Sequence, residues 1–483
     1  MSVRHRVFYR VFLASLLLIT TDAWAVDVFR TEDAVPATAA GSLLPTGAAC
    51  QFRSLERPLS LQEAVERTLC NNPSTRQAWV GVKTQAASVG AARAAYLPTV
   101  NASWQGVRDD SLTNVTDRPY LDSATLATVQ TDSVSLTWTL YDFGARRNAL
   151  ANATALLSAA QATQDATLQS VFIEASKDYY AAQASGGALA TAIDVEQMAE
   201  NSWHAAQERV KKGVAPISDE LQAQTAVGQA EVSVEKARGA NMTALGTLAN
   251  EMDLSPDVDI ALPPVDAGVA PDSAFDESID GLLDAVKESH PSVRAARAKL
   301  DAALAKVKQT EDEGLPTFSL VSKYSRDNQP ASLGLGAPSF PATGHEWYVG
   351  FQLTIPLFEG FTRTYQVHQA EAQAEEQVVE LDQARQKVAL DVWNAYQALE
   401  TSTKTLRLDT SLMDIAAHSF EVATRRYKEG VGSIIELLTA QAALANAQQQ
   451  HVEALTQWRA DRLKLAGSLG RLSLNEAASN WSP

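Results

Sequence analysis

Hydrophobic and polar positions follow two rhythms along this chain, and both recur in the same order twice. From about Phe361 to Tyr427, Ala374, Val378, Leu381, Ala384, Val388, Val392, Ala395 and Leu399 return at threes and fours. That spacing lays a narrow apolar seam along one helix face, as in a coiled coil. At 1.5 Å per residue, about 65 residues make a rod of roughly 100 Å, which a globular domain has no room for. The matching pattern in the first half is interrupted at Ser185-Gly186-Gly187, where a weak point or bend is expected.

The second rhythm has period two. Trp347, Val349, Phe351, Leu353 and Ile355 alternate with Tyr348, Gly350, Gln352 and Thr354; Val134, Leu136, Trp138 and Leu140 alternate with Ser135, Thr137 and Thr139. Four strands are predicted, Thr99–Asp109, Thr131–Leu140, Thr317–Ser325 and Glu346–Ile355. Each has the roughly 9–11 residues of a tilted membrane strand. Alternation of this kind marks outer-membrane barrels, and a half-buried soluble sheet uses it too. Closure separates the two. A sheet in lipid has no tolerable open edge, and four strands cannot close when the smallest bacterial barrels have about eight. If these strands span a membrane, several copies share one barrel; two supply about eight strands, an interior little more than filled with side chains, and three supply about twelve and leave a lumen. The stretches Asp110–Gln130 and Arg326–His345, rich in Gly, Pro, Ser, Thr and Asp, are expected to be outward loops. Trp104, Trp138, Trp347, Tyr120 and Tyr324 are candidates for interfacial belts or for core packing.

The recurrence is a duplication. PSTR and LPTV at Pro73 and Leu97 return as PSVR and LPTF at Pro291 and Leu315, an offset of 218. Further on the offset is 217: Arg146 matches Arg363, Tyr179 matches Tyr396 and Gly213-Val214 matches Gly430-Val431. Such a period is far longer than a solenoid unit. The first repeat occupies about 59–252, with a long hairpin at about 144–250. The second occupies about 281–472, with its hairpin at about 361–472. Short helices are expected at about 60–71 and 278–289, each followed by a proline that opens the next helix. Between the repeats, 253–280 carries four prolines, eight acidic residues and no Lys or Arg, and reads as a linker.

Composition then narrows the setting. Arg4, Arg6 and Arg10, a short apolar run and Ala23-Trp24-Ala25 form a secretory signal peptide over 1–25, with an extension over 26–58 and a tail at 473–483. Loss of that leader takes the formal charge from −17 to −19. This acidity argues against a nucleic-acid partner, which needs basic surface. Cys50 and Cys70, two cysteines in an exported chain, are a candidate disulfide. Cys50 lies too far past the cleavage site to be a lipid anchor. The seven histidines are scattered, with no HExxH and no metal-ligand spacing, and GLGAP at Gly334 lacks a third spaced glycine. No enzyme site, cofactor or metal is expected.

Each long helical pattern bends once, in ERVKKGVAPISDELQAQ (Glu208–Gln224) and RRYKEGVGSIIELLTAQ (Arg425–Gln441). Gly213 and Gly430 suit left-handed helix caps. Asp219 and Glu436 follow in the first turn of the next helix. An acid there complements the helix dipole; in a symmetric assembly the same acids form a ring, a known selectivity device.

The duplicated order, the twin LPT strand starts, LTWTLYDFGARRNA, LTIPLFEGFTRT and RYKEGVGSIIELLTAQAALANA together resemble the TolC-like outer-membrane efflux family, over about 59–472. The start LSLQEAVERTLCNNPSTRQAW resembles members serving toxin-type protein secretion. The resemblance implies a mainly α fold with β: a homotrimer whose shared twelve-stranded barrel sits in outer-membrane lipid, above a long periplasmic helical barrel of coiled-coil hairpins. It implies an exit duct for type I secretion or efflux that works with a periplasmic adaptor and an inner-membrane ABC or RND-type transporter. By the same resemblance, Asp219, Glu436, Ser218 and Tyr427 correspond to the periplasmic gate. The tip residues Gly213, Val214, Gly430, Val431 and Gly432 correspond to the turns that meet the adaptor. Gly432 and Thr439 depart from the best-known member, which has an arginine and an aspartate there, so fewer polar links are expected to hold the gate. The competing class is a periplasmic coiled-coil scaffold without a pore, which explains the rods but not the strands.

Overall fold

The computed structural model describes residues 27–41, 50, 52, 54–55, 57–266, 286, 288–332, 334, 337 and 339–470. The expected signal peptide and C-terminal tail lie outside these residues, as do linker residues 267–280 and most of the helix expected at 278–289. In chain order the elements are α1 (Leu61–Asn71), α2 (Pro73–Ala94), β1 (Thr99–Thr113), β2 (Ser123–Tyr141), α3 (Ala145–Lys211), α4 (Ile217–Glu251), α5 (Pro291–Asp312), β3 (Thr317–Asp327), β4 (Gly344–Thr354), α6 (Thr362–Lys428) and α7 (Ile434–Ser468). The chain divides into two compact units. The first holds 83–157 and 301–375 with the described part of the N-terminus up to 35; the second holds 36–82, 158–300 and the chain from 376 onward.

In the first unit the strands form one antiparallel sheet in the order β1-β2-β3-β4, so β1 and β4 are open edges. The register sorts most side chains near the helical end of the sheet, while Asp132 lies opposite Trp104 and Val107 opposite Val129. Directly opposed residues share a face, and Val100 faces Leu136, Val134 faces Tyr324, Trp138 faces Leu320, Leu320 faces Phe351 and Tyr324 faces Trp347. The other face carries Asn101 opposite Ser135, Ser103 opposite Ser133, and Ser319 opposite Gln352; the Ser103 and Ser133 hydroxyls bond at 2.7 Å. Trp104, Trp347 and Phe351 on the apolar face are each more than two-thirds exposed. Of the belt candidates, Trp104, Trp138, Tyr324 and Trp347 share this face, whereas Tyr120 sits in the β1–β2 loop.

The first hairpin is longer than its sequence suggests. The stretch Asp110–Gln130 is largely strand: β1 runs to Thr113 and β2 starts at Ser123, with Asp110 opposite Leu126 and Ser111 opposite Thr125. A ladder is made of backbone hydrogen bonds, so it continues through polar residues once the flanking pairs set its register. The second loop is shorter than expected too, with a two-residue pairing of Ala331–Ser332 and Ser339–Phe340 inside it.

In the second unit, Ser60 caps the start of α1. Ser60 Oγ accepts from Glu63 N at 3.2 Å. One core gathers Leu59, Leu69, Leu168, Phe172, Leu248 and Met252; another gathers Val293, Leu381, Val388, Val392, Trp458 and Leu465. Along α6 the expected seam is buried or half-buried except at Val378, which is 45 % exposed.

Ser185-Gly186-Gly187 does not interrupt α3, which runs unbroken over 67 residues. Gly187 is there for approach: a Cβ would lie 2.7 Å from Val265 Cγ2 and 2.8 Å from Val452 Cγ1. The described part of the linker is also less free than its prolines suggest. Ile260 and Val265 are buried, Leu59 N donates to Ala261 O at 2.8 Å, Gln183 Nε2 donates to Pro263 O at 3.1 Å, and Arg459 Nη1 donates to Val265 O at 2.8 Å. Gln183 of α3 anchors on the Pro263 and Pro264 carbonyls, and Arg459 of α7 on that of Val265. Burial lowers the Arg459 pKa, opposed by Tyr180, Asp266 and Tyr179.

Candidate functional site

The hairpin tips bring together residues more than 200 positions apart. At the second tip α6 ends in a left-handed Gly430, φ 80°. Val431 N and Gly432 N both donate to Arg426 O at 3.0 Å, closing the helix. A Cβ at Gly432 would lie 3.1 Å from Tyr427 N, so a side chain there would need the turn to give by a few tenths of an ångström. Ser433 then caps α7, its Oγ accepting from Glu436 N at 3.1 Å. Glu436 is therefore the fourth residue of an S-x-x-E box. Its carboxylate meets Arg426 Nε at 3.1 Å, with both side chains about half exposed.

The first tip has the same path with different chemistry. Gly213 has φ 69°, and Val214 N donates to Arg209 O at 3.0 Å. Pro216 stands at the cap of α4 and offers no side-chain oxygen. Asp219 and Glu220 lie in the first turn, where they complement the dipole. Ser218 is exposed. Val214 and Val431, at 63 % and 69 % exposed, crown the two turns.

Arg209 joins the tips. Its guanidinium carbon sits 4.8 Å from the centroid of the Tyr427 ring, and its Nη1 donates to Tyr427 O. Tyr427 is 1 % exposed and packs with Ala206, Ala223, Ile434 and Leu437. Burial raises the Tyr427 hydroxyl pKa; the Asp219 carboxylate adds to this and Arg209 opposes it. Among the described residues, Trp203 Nε1, Arg209 Nε, Thr424 Oγ1 and Tyr427 Oη are buried without a hydrogen-bond partner.

Of the expected gate residues, the fold gathers Asp219 and Tyr427 within electrostatic reach and places Glu436 on a separate ion pair. Ser218 joins neither arrangement. Three contributors escaped the sequence reading. The Ser433 cap was legible as S-x-x-E spacing. Arg426 and Arg209 carried only the weak signal of basic residues in a last turn, and nothing local linked Arg209 to a tyrosine 218 positions away. Cys50 and Cys70 are bonded, with Cα atoms 5.7 Å apart, tying the chain before α1 to the end of that helix. Among the described residues no helix is long and apolar enough to cross a membrane, and no three metal-ligating side chains gather.

The family model for outer membrane efflux proteins matches residues 64–252 and again 282–471. Protein CyaE of Bordetella pertussis is 32 % identical over 429 residues, 86 % of each chain. Among solved structures, the CmeC outer membrane channel of Campylobacter jejuni superposes with a TM-score of 0.72 at 16 % identity, covering 90 % of this chain and 95 % of that one. The outer membrane protein VceC of Vibrio cholerae gives 0.69 at 18 % identity, covering 85 % and 96 %. At such identities these two likenesses speak for the fold alone.

Proposed function

We propose, for a chain that belongs to the outer membrane efflux protein family and resides in the outer membrane, the role of exit duct in a tripartite export system. The observation that carries this reading is the sheet. Its apolar face is bare and its edge strands β1 and β4 have open sides. Burying such a face and closing such edges calls for lipid and for more copies. Three copies of four strands make a twelve-stranded barrel with a polar, Ser/Thr/Asn/Gln-lined lumen, which favours a homotrimer. A second face supports association: along α4, Ile217, Leu221, Val232 and Met242 are more than half exposed and follow a coiled-coil spacing.

In this reading the tips form the periplasmic entrance. Val214 and Val431 are the contacts offered to a periplasmic adaptor, itself coupled to an inner-membrane ABC or RND-type transporter that selects the protein or small-molecule cargo. Asp219 and Glu436 recur around the three-fold axis and favour cations. The role is conduction, not catalysis. A pore-less periplasmic scaffold would have no use for the bare apolar face.

The test is reconstitution into planar bilayers. The native protein should insert and conduct, and multivalent cations should block it from the tip side. Glu436→Gln should weaken that block by about fivefold, the loss of one favourable charge contact of about 1 kcal/mol per ion. A monomeric, non-conducting product from folded, detergent-extracted protein overturns the duct. Unchanged block in Glu436→Gln removes Glu436 alone from the filter.

A further inference from the structure

Where β2 runs into α3, a half-open cavity of about 460 Å³ is lined by Tyr96, Trp138, Tyr141, Phe143, Arg146 and Arg147. Its aromatic wall continues the apolar face of the sheet. Trp138 opposes Leu320 on that face, and a register shift between Thr139 and Tyr141 sets Tyr141 opposite Phe318. Bulges of this kind re-aim side chains. Phe143 is held at φ 54°, a conformation uncommon for a non-glycine residue, with its ring 4.8 Å from that of Tyr141.

The two arginines differ. Arg146 is fully engaged: Nε meets Asp142 Oδ2 at 2.7 Å, Nη1 donates to Thr139 O at 2.6 Å, and the guanidinium lies 4.8 Å from the Tyr96 ring. Asp142 is thereby neutralised. Arg147 is exposed, and among the described residues nothing pairs with it. It also stands in the first turn of α3, the helix end that disfavours a cation. The cavity thus has an apolar aromatic wall and one uncompensated positive charge.

The duplication supplies an internal control. At the matching corner of the second repeat, Gly314, Ile355 and Thr364 stand where the first has Tyr96, Trp138 and Arg147. Arg363 there is flanked by two carboxylates, Glu313 at 3.1 Å and Glu359 at 3.2 Å. Aromatic rings stand at both corners, Phe358 and Phe361 at the second, but the Tyr96 and Trp138 rings and the unpaired charge belong to the first.

We infer that this corner binds the headgroup of an anionic phospholipid, its phosphate on Arg147 and its acyl chain against Trp138 and Tyr141. The site rests on the membrane reading of the sheet, and it predicts one lipid per protomer. The positive edge of an apolar membrane face matches the anionic border of a bilayer, and the aromatic rings match its interfacial zone.

Native mass spectrometry of the detergent-purified full chain tests it, with dioleoyl-phosphatidylglycerol, dioleoyl-phosphatidylcholine or inorganic phosphate added. The native protein should retain phosphatidylglycerol about fivefold over phosphatidylcholine, as expected for one interfacial arginine. Arg147→Gln should retain the two equally, while Arg407→Gln, an exposed helix arginine, should behave as the native chain. Equal retention by the native protein, or an intact preference in Arg147→Gln, overturns the site. Displacement of phosphatidylglycerol by excess inorganic phosphate also overturns it, because the site then belongs to free anions. Insertion into phosphatidylcholine vesicles is measured on the same samples. Failure to insert sinks the membrane reading itself, whereas insertion without lipid preference sinks only the site.

Discussion

Replacing Arg209 by Met keeps much of the packing stem and removes the charge that ties the two tips. Three terms set the size of the effect. A hydrogen bond from a charged donor to Tyr427 O contributes about 1.5–3 kcal/mol. The stacking of the guanidinium on the Tyr427 ring adds about 0.5–1 kcal/mol at this half-buried position. Against these, the substitution removes Nε, a buried donor without a partner, and so recovers about 1 kcal/mol. The net loss is about 2 kcal/mol, or roughly thirtyfold in the equilibrium between joined and parted tips. Hydrogen exchange on the purified full chain reads this directly. Amides of Thr424 to Leu438 should lose about thirtyfold in protection, while those of the sheet stay unchanged. Arg425→Met, which breaks only an exposed ion pair with Glu421, should change tip exchange by less than about threefold. Tyr427→Leu, which keeps the accepting carbonyl, should show part of the Arg209→Met effect, and the double variant less than the sum. If Arg209→Met and Arg425→Met exchange alike, or if the loss spreads evenly over α6, the tie between tips is refuted.

Other expectations follow from single contacts. Reducing Cys50–Cys70, which spans 20 residues, or replacing both by Ser, should lower stability of the α1 region by about 3 kcal/mol, read as a reductant-dependent drop in Tm that the double variant lacks. His290 Nδ1 accepts from Ser292 N at 3.2 Å at the start of α5. Burial lowers its pKa, with Asp391 opposing. A base with a depressed folded pKa contributes stability that is complete above its unfolded pKa of about 6.5 and declines as pH falls below that value. Protection at the N-terminus of α5, taken relative to the intrinsic exchange rate, should therefore fall on acidification below about pH 6.5, and His290→Asn, which still caps, should flatten that dependence. A dependence that persists in His290→Asn assigns it to another group.

Several features follow from sequence alone because they rest on short-range physics. Helical periodicity, proline at the first turn and left-handed glycines at the bends all act within a few residues. They locate α6 within a residue of its expected start at Phe361, and both tips at Gly213 and Gly430. Alternation of side chains has the same locality, and it found all four strands. Duplication multiplied these signals by writing them twice.

What only the tertiary structure decided depends on partners far along the chain. Gly187 reads locally as a helix breaker, and it is a contact residue because Val265 and Val452 arrive beside it. The prolines of 256–264 read as a linker, and the carbonyls of Pro263 and Pro264 serve Gln183 because α3 lies alongside them. Strand ends at Thr113 and Ser123 were set by the ladder rather than by composition. Glu436 and Asp219 look equivalent in the repeat; the fold pairs the first with Arg426 and sets the second beside the tyrosine that Arg209 holds. A repeat copies backbone paths, since those follow local preferences. Each copy's surroundings are different, so side chains at matching positions acquire different work.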